Sequence, residues 1–181
     1  MAAAIENPMV TQAVAELEAV FRAHHGLVIR AAYRVTGSRA DAEDVAQSVF
    51  LRLARGDFDR SRIANIESYL HRAAVNAALD VIRSRREGRD VPIDNAEPLH
   101  ADPSLSPERA QASAEIRSWL RQALAKLHPR TAEMFVLRYL EDYDNHEIAK
   151  MLNTSQAVVA VTLHRTRARL QKDLRKMRGG L

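Results

Sequence analysis

Four of the six prolines in this 181-residue chain fall in one stretch, at Pro92, Pro98, Pro103 and Pro107. Proline fixes φ and carries no backbone N–H, so such a stretch can continue neither a helix nor the interior of a sheet. Asp, Asn, Ser and His surround these prolines without a helical period, and Gly88 to Ser106 reads as a linker. The expected division is a first module over 10–87, a flexible linker over 88–107, and a second module over 108–178. Each module has roughly 75 residues, enough for a small core of its own and little more.

Both modules read as helical. Hydrophobic residues make up 46% and charged residues 28%, which can fill a core, while 6 glycines and 5% aromatics do not suit a β-sandwich. In the first module Val14, Leu17, Val20, Phe21, Leu27, Val28, Ala31, Ala32 and Val35 recur at helical spacing, with Gly26 a break or a weak spot. Gly37 ends that helix, and Ser38 with Asp41 gives the next one a capping-box pattern. The second helix should reach about Arg55, with Val45, Phe50, Leu51 and Leu53 apolar, and a third should run from about Ile66 to Arg86.

The second module opens on Ser106-Pro107, a cap followed by proline at the first helical position. That helix should reach about Lys126, and another should run from Pro129 to near Leu140. Asp144 caps a short helix with Glu147 as its capping-box partner, Asn153-Thr154 makes a tight turn, and Ser155 caps a long final helix. On that helix Val159, Leu163, Thr166, Leu170, Leu174 and Met177 form one expected buried stripe.

Charge and missing chemistry narrow the function. The net charge is +4, yet Asn145 to Leu181 holds eight basic residues against Glu147 and Asp173. A tail of +6 on a slightly acidic body suggests a polyanionic partner. Cysteine is absent, which excludes a disulfide scaffold, a thiolate zinc site and a cysteine nucleophile. No membrane-spanning run and no signal peptide is read, so a cytoplasmic location without membrane insertion is expected. His24-His25 would point about 100° apart on a helix and suit chelation poorly, and no H-E-x-x-H, Walker loop or G-x-S-x-G occurs. No metal, no cofactor and no enzymatic activity are expected.

Three segments carry the positive signal, each with a plain alternative. The short capped helix, turn and basic helix make a helix-turn-helix, in which Ser155 and backbone amides face phosphate and Arg165 and Arg167 reach phosphate or guanine. The alternative is a solvated basic face. On the third helix Asn76, Asp80 and Arg83 share a polar stripe and Tyr69 offers a stacking face for an unpaired base, though a surface helix with an ordinary ion pair fits the chemistry as well. Asp41, Glu43 and Asp44 in a first turn suit the helix dipole, or form an acidic docking face.

Taken in order, these segments resemble an extracytoplasmic-function (ECF) sigma factor, the promoter-specificity subunit of bacterial RNA polymerase. Asp41-Ala42-Glu43-Asp44-Val45-Ala46-Gln47 with Phe50-Leu51 is similar to that family's acidic segment in region two. Ser68-Tyr69-Leu70-His71-Arg72-Ala73-Ala74-Val75-Asn76 with Asp80 and Arg83 resembles its next conserved segment. Leu127-His128-Pro129-Arg130, Phe135 to Tyr139, Glu147-Ile148-Ala149 and Leu163 to Leu170 are similar to region four.

The resemblance implies an all-α protein with a region-two bundle and a region-four helix-turn-helix. It implies that Asp41, Asp44, Val45, Gln47, Phe50 and Leu51 dock on the clamp helices of the largest polymerase subunit. Arg62, Tyr69, Arg72, Asn76, Asp80 and Arg83, with the loop from Phe58 to Glu67, would capture the melted minus-ten strand. Ser155, Gln156, Ala160, Val161, His164, Arg165 and Arg167 would read the minus-thirty-five duplex, and the second module would also meet the flap of the second-largest subunit. The linker would thread near the polymerase active-site channel, and an anti-sigma factor is an expected further partner. The sequence departs from the family's pattern at Tyr69, where tryptophan is frequent, at Asn153 in place of a turn glycine, and at Ala160 and Thr162 in place of customary basic residues. Small apolar groups at Ala160, Val161 and Thr162 suit contact with thymine methyls. A stand-alone helix-turn-helix regulator and a protein-binding module without nucleic acid are the rival readings; the acidic helix argues against the first and the +6 tail against the second.

Overall fold

A computed structural model describes residues 8–56, 65–88 and 106–179. They form seven helices: α1 (Pro8–Thr36), α2 (Arg39–Arg55), α3 (Ile66–Arg86), α4 (Pro107–Ala125), α5 (Pro129–Tyr139), α6 (Asn145–Met151) and α7 (Gln156–Arg178). There is no strand among the described residues. The Pro-rich stretch over 89–105 and the segment 57–64, which contains Arg62 and most of the loop expected after α2, lie outside them.

Most helix boundaries have a local cause. α1 passes through Gly26 without a break. One glycine costs a helix about 1 kcal/mol, which the packing of Val28, Ala31, Ala32 and Val35 outweighs. Gly37 ends α1 at φ 70°, and its N–H donates to the Tyr33 carbonyl at 2.7 Å. A side chain at Gly37 would also meet the guanidinium of Arg121 on α4, so conformation and space both require glycine here. Ser38 caps α2 by accepting from the Asp41 N–H at 3.3 Å, but Asp41 does not return the bond. Its carboxylate pairs instead with Arg85 on α3 at 2.5 Å, because a charged donor outcompetes a neutral amide. Ser106 makes no side-chain cap bond, and α4 begins on Pro107 alone. The Asp144–Glu147 box on α6 is complete, and Ser155 caps α7 by accepting from the Val158 N–H at 3.2 Å. Asn153 makes the intervening turn at φ 48°, a conformation asparagine tolerates.

α3 is the hub. Its Leu70, Ala74, Val75, Ala78 and Leu79 are fully buried, and the helix lies against α1 and α2 on one side and α4 and α5 on the other. The single apolar face that helical spacing gives in sequence, Leu70, Ala74, Ala77, Ala78 and Val81, is narrower than what the helix buries. Val75, Leu79 and Ile82 are also buried, while Ala77 and Val81 are only partly so. The second half packs α5, α6 and α7 around Met134, Val136, Leu137, Ile148 and Val159. Separate small cores were the sequence expectation; the buried residues instead form one cluster that continues across α3 into α4 and α5. On α7 the stripe is buried at Val159, Leu163, Thr166 and Leu170, half-buried at Leu174, and exposed at Met177. α7 packs on α5 and α6, and its last turns extend past them.

Candidate nucleic-acid interface

The seven residues expected to read duplex DNA lie on the capped N-terminal half of α7 or just before it. Ser155, Gln156, Ala160, Val161, His164, Arg165 and Arg167 are all exposed. Val158 and Val161 stand 48% and 49% exposed, an apolar pair on the solvent side of the helix. The first turn of α7 holds no acid, so its amide dipoles and the basic side chains act with one sign. Ser155 uses an oxygen lone pair as the cap, which leaves its O–H able to donate to phosphate. On the neighbouring α6 the capping box fixes the start of the helix. The Asp144 carboxyl sits below the usual carboxylate range, held there first by the Glu147 N–H and then by that of His146.

The residues expected to capture a single strand lie on α3, and their surroundings differ. Arg72, Asn76, Asp80 and Arg83 line one cleft of about 370 Å³. Its other wall is formed by the second half, through His128, Pro129, Arg130, Glu133 and Leu152. Arg72 donates through Nε to Glu133 Oε1 at 2.8 Å and through a terminal nitrogen to the Met151 carbonyl at 2.6 Å. Asn76 donates to the same Glu133 oxygen at 3.0 Å. Arg83 pairs with Asp80 at 2.9 Å, the positioning expected of an Asp–Arg pair, while its Nε and second terminal nitrogen are buried without a protein partner. Tyr69 is half-buried one turn before Arg72 and Ala73.

A second polar cluster, begun by the neighbouring His71, closes the same boundary. His71 Nε2 lies 2.6 Å from Glu141 Oε2, and His71 Nδ1 lies 2.7 Å from the Tyr143 hydroxyl. An ionised Glu141 only accepts, so Nε2 donates to it, and Nδ1 then accepts from the tyrosine; this tautomer is assigned from the partners. Arg34 of α1 adds bonds to Glu141 at 2.8 Å and to the Leu140 carbonyl at 3.1 Å. Burial, then the negative charges of Glu67, Glu141 and Glu147, push the Tyr143 hydroxyl above its ordinary pKa.

The docking residues on α2 divide by exposure. Asp44, Gln47 and Leu51 are exposed, Leu51 by 48%. Val45 and Phe50 are buried and hold α2 in place, and Asp41 is tied to Arg85. Asp44 lines a groove of about 350 Å³ between α2 and α3. Sequence reasoning missed Phe21 as a surface residue: it is 41% exposed and packs edge-on against Phe50, with ring centroids 4.8 Å apart. It also missed Glu133, Glu141 and Tyr143. Glu133 left a trace, being an acid inside the apolar run Ala132 to Leu137. Among the described residues no helix is long and apolar enough to cross a membrane, and no three His, Asp or Glu side chains converge as a metal would need.

Two family models and several known proteins match the chain. Residues 20–88 match the model of sigma-70 region 2, and residues 117–170 match that of sigma-70 region 4. The chain is 32% identical over 155 residues to the ECF RNA polymerase sigma factor SigW of Bacillus subtilis, covering 80% of this chain and 81% of that protein. It is 32% identical over 157 residues to the ECF RNA polymerase sigma factor SigE of Mycolicibacterium smegmatis, covering 86% of this chain and 60% of that one. The solved structure of the Mycobacterium tuberculosis ECF sigma factor SigJ is 27% identical, with a TM-score of 0.44, and is similar over 86% of this chain and 52% of its own.

Proposed function

This chain belongs to the ECF family of RNA polymerase sigma factors, and from that membership we propose how its surfaces divide between polymerase and promoter. As a sigma factor it acts in transcription initiation, with core RNA polymerase and promoter DNA as its partners. The residues over 10–87 serve as the region-two domain and those over 108–178 as the region-four domain, joined through 88–107. The exposed side of α2, with Asp44, Gln47 and Leu51, meets the clamp helices, supported from within by Asp41, Val45 and Phe50. Arg62, Tyr69, Arg72, Asn76, Asp80 and Arg83 hold the melted minus-ten strand. Base stacking on Tyr69 contributes on the order of 1–3 kcal/mol, which biases the promoter toward its open state. The capped end of α7 enters the major groove at the minus-thirty-five element, and the second domain meets the polymerase flap. The protein carries out no chemistry of its own, works beside the polymerase in the cytoplasm, and is held off it when idle by an anti-sigma factor.

The observation that supports this division best is the face of α7, with seven exposed residues at its Ser155 cap and along its first half. The test is run-off transcription from a genomic fragment pool with purified core polymerase. Discrete new transcripts are expected with the native chain. Asp44→Arg should abolish them by weakening core binding, while duplex binding persists. Duplex binding without any affinity for core would make the chain a stand-alone regulator and remove the assignments on α2 and α3.

A further inference from the structure

We propose that Val158 and Val161 decide which upstream element this chain reads, by seating the methyl groups of thymines on two neighbouring base pairs. The proposal rests on the assignment of α7 to the upstream duplex and names the sequence class that duplex must have. From Gln156 to Thr162 the helix carries no charged side chain. Val158 and Val161 are 48% and 49% exposed, and Ala157 and Ala160 are exposed beside them. Thr162, which the sequence groups with Ala160 and Val161, is half-buried, and Val158 takes its place on the outer face. At about 100° per residue, Val161 points away from the buried stripe of Val159, Leu163, Thr166 and Leu170, and Val158 lies about 60° around the helix from Val161. The exposed side turns basic only on the next turn, at Arg165 and Arg167.

The surroundings choose the occupant. An apolar pair on a solvated surface gains from a partner that covers it with carbon. Arginines on the next turn, with no acid in the first, make that partner a polyanion. The apolar group that a duplex shows in its major groove is the C5 methyl of thymine. Guanine presents two acceptors there, and cytosine and adenine present amino donors. A valine over any of these takes water from a polar group and returns no hydrogen bond, which costs binding. The spacing also fits. Three residues advance a helix by about 4.5 Å, close to the step of about 3.4 Å between stacked pairs, so the two side chains fall on adjacent pairs. The valine pair attracts A·T and repels G·C, the two halves of a specific contact.

The test uses holoenzyme made from the full chain and a promoter recovered by run-off transcription, randomised over its upstream element. Transcribed members should carry A·T at two neighbouring pairs of that element. Each thymine of the selected element is then replaced by deoxyuridine, which removes the methyl and keeps every hydrogen-bonding group of the base. Holoenzyme binding should fall about fourfold at each of two neighbouring thymines, the worth of one buried methyl. Val158→Ala should erase one of these two losses and Val161→Ala the other, so that each variant no longer tells thymine from uracil at its own pair. Both side chains are about half exposed, so denaturation of either variant should match that of the native chain. Uracil tolerated at every position, or G·C selected at the pairs where the valine variants act, would overturn the thymine seat and leave α7 in the groove. Core affinity lost in the two valine variants would make the pair a protein contact and overturn it as well. An element selected unchanged by Val158→Ala, Val161→Ala and Arg165→Ala alike would remove α7 from the duplex, and the thymine seat with it.

Discussion

The two helices proposed to read DNA differ in what they touch. α7 presents Gln156, His164, Arg165 and Arg167 to solvent, with no acid in its first turn. α3 presents Arg72 and Asn76 to a glutamate of the other domain. Duplex recognition needs a capped helix with its base-reading side chains outward, and α7 meets that need as it stands. Strand capture needs donors that a melted base or phosphate can displace from something, and α3 already holds its donors against an anionic partner. A helix with neighbours on two sides also has a structural task, which α7 beyond Leu170 lacks.

The largest test of this contrast is Leu79→Ala on α3. Leu79 is fully buried in the cluster that joins the two domains, and its truncation should cost about 2–5 kcal/mol. Trp119, the single tryptophan, lies on α4 and packs against that cluster. Its fluorescence transition in denaturant should move down with the helicity of the first domain. An unmoved Trp119 transition would mean that the cores are separate after all. Arg165→Ala acts on the other helix and should weaken binding to the upstream element by about 1–3 kcal/mol if it contacts a base, with no change in stability. The same loss on every sequence would make Arg165 a phosphate contact.

Smaller effects sharpen the picture of α7. Ser155→Ala removes its cap and should lower the stability of the second domain by about 1 kcal/mol, read by denaturation. Asp144 gives an acid-side signal. Its carboxyl is lowered by the Glu147 and His146 amides, so the cap's contribution is complete above the ordinary aspartate range and is lost as pH falls through the lowered folded value. Asp144→Asn should flatten that part of the pH–stability curve while leaving the neutral-pH fold intact. An unchanged curve would show that the box does not titrate with the domain.

Local chemistry made much of this legible in the sequence. The caps at Ser38, Asp144 and Ser155, the stop at Gly37 and the span of α3 all follow from near neighbours, and each is found as expected. The exposed polar side of α7 was also visible, because its buried stripe and its basic residues share one helix. What sequence could not show depends on residues far apart in the chain. Asp41 looks like half of a capping box until Arg85 arrives from α3. Glu133 looks like a stray acid until α3 supplies Arg72 and Asn76. Periodicity finds one face of a helix, and α3 uses two.

The contrast is tested most directly with two oligonucleotides from one promoter recovered by run-off transcription. One is the upstream element as duplex and the other the downstream element as a single strand. Each is titrated with the chain alone and with its holoenzyme. The account predicts that the chain alone binds the duplex and scarcely binds the strand, and that holoenzyme binds both. Capture of the strand by the chain alone, as tightly as by holoenzyme, would contradict it.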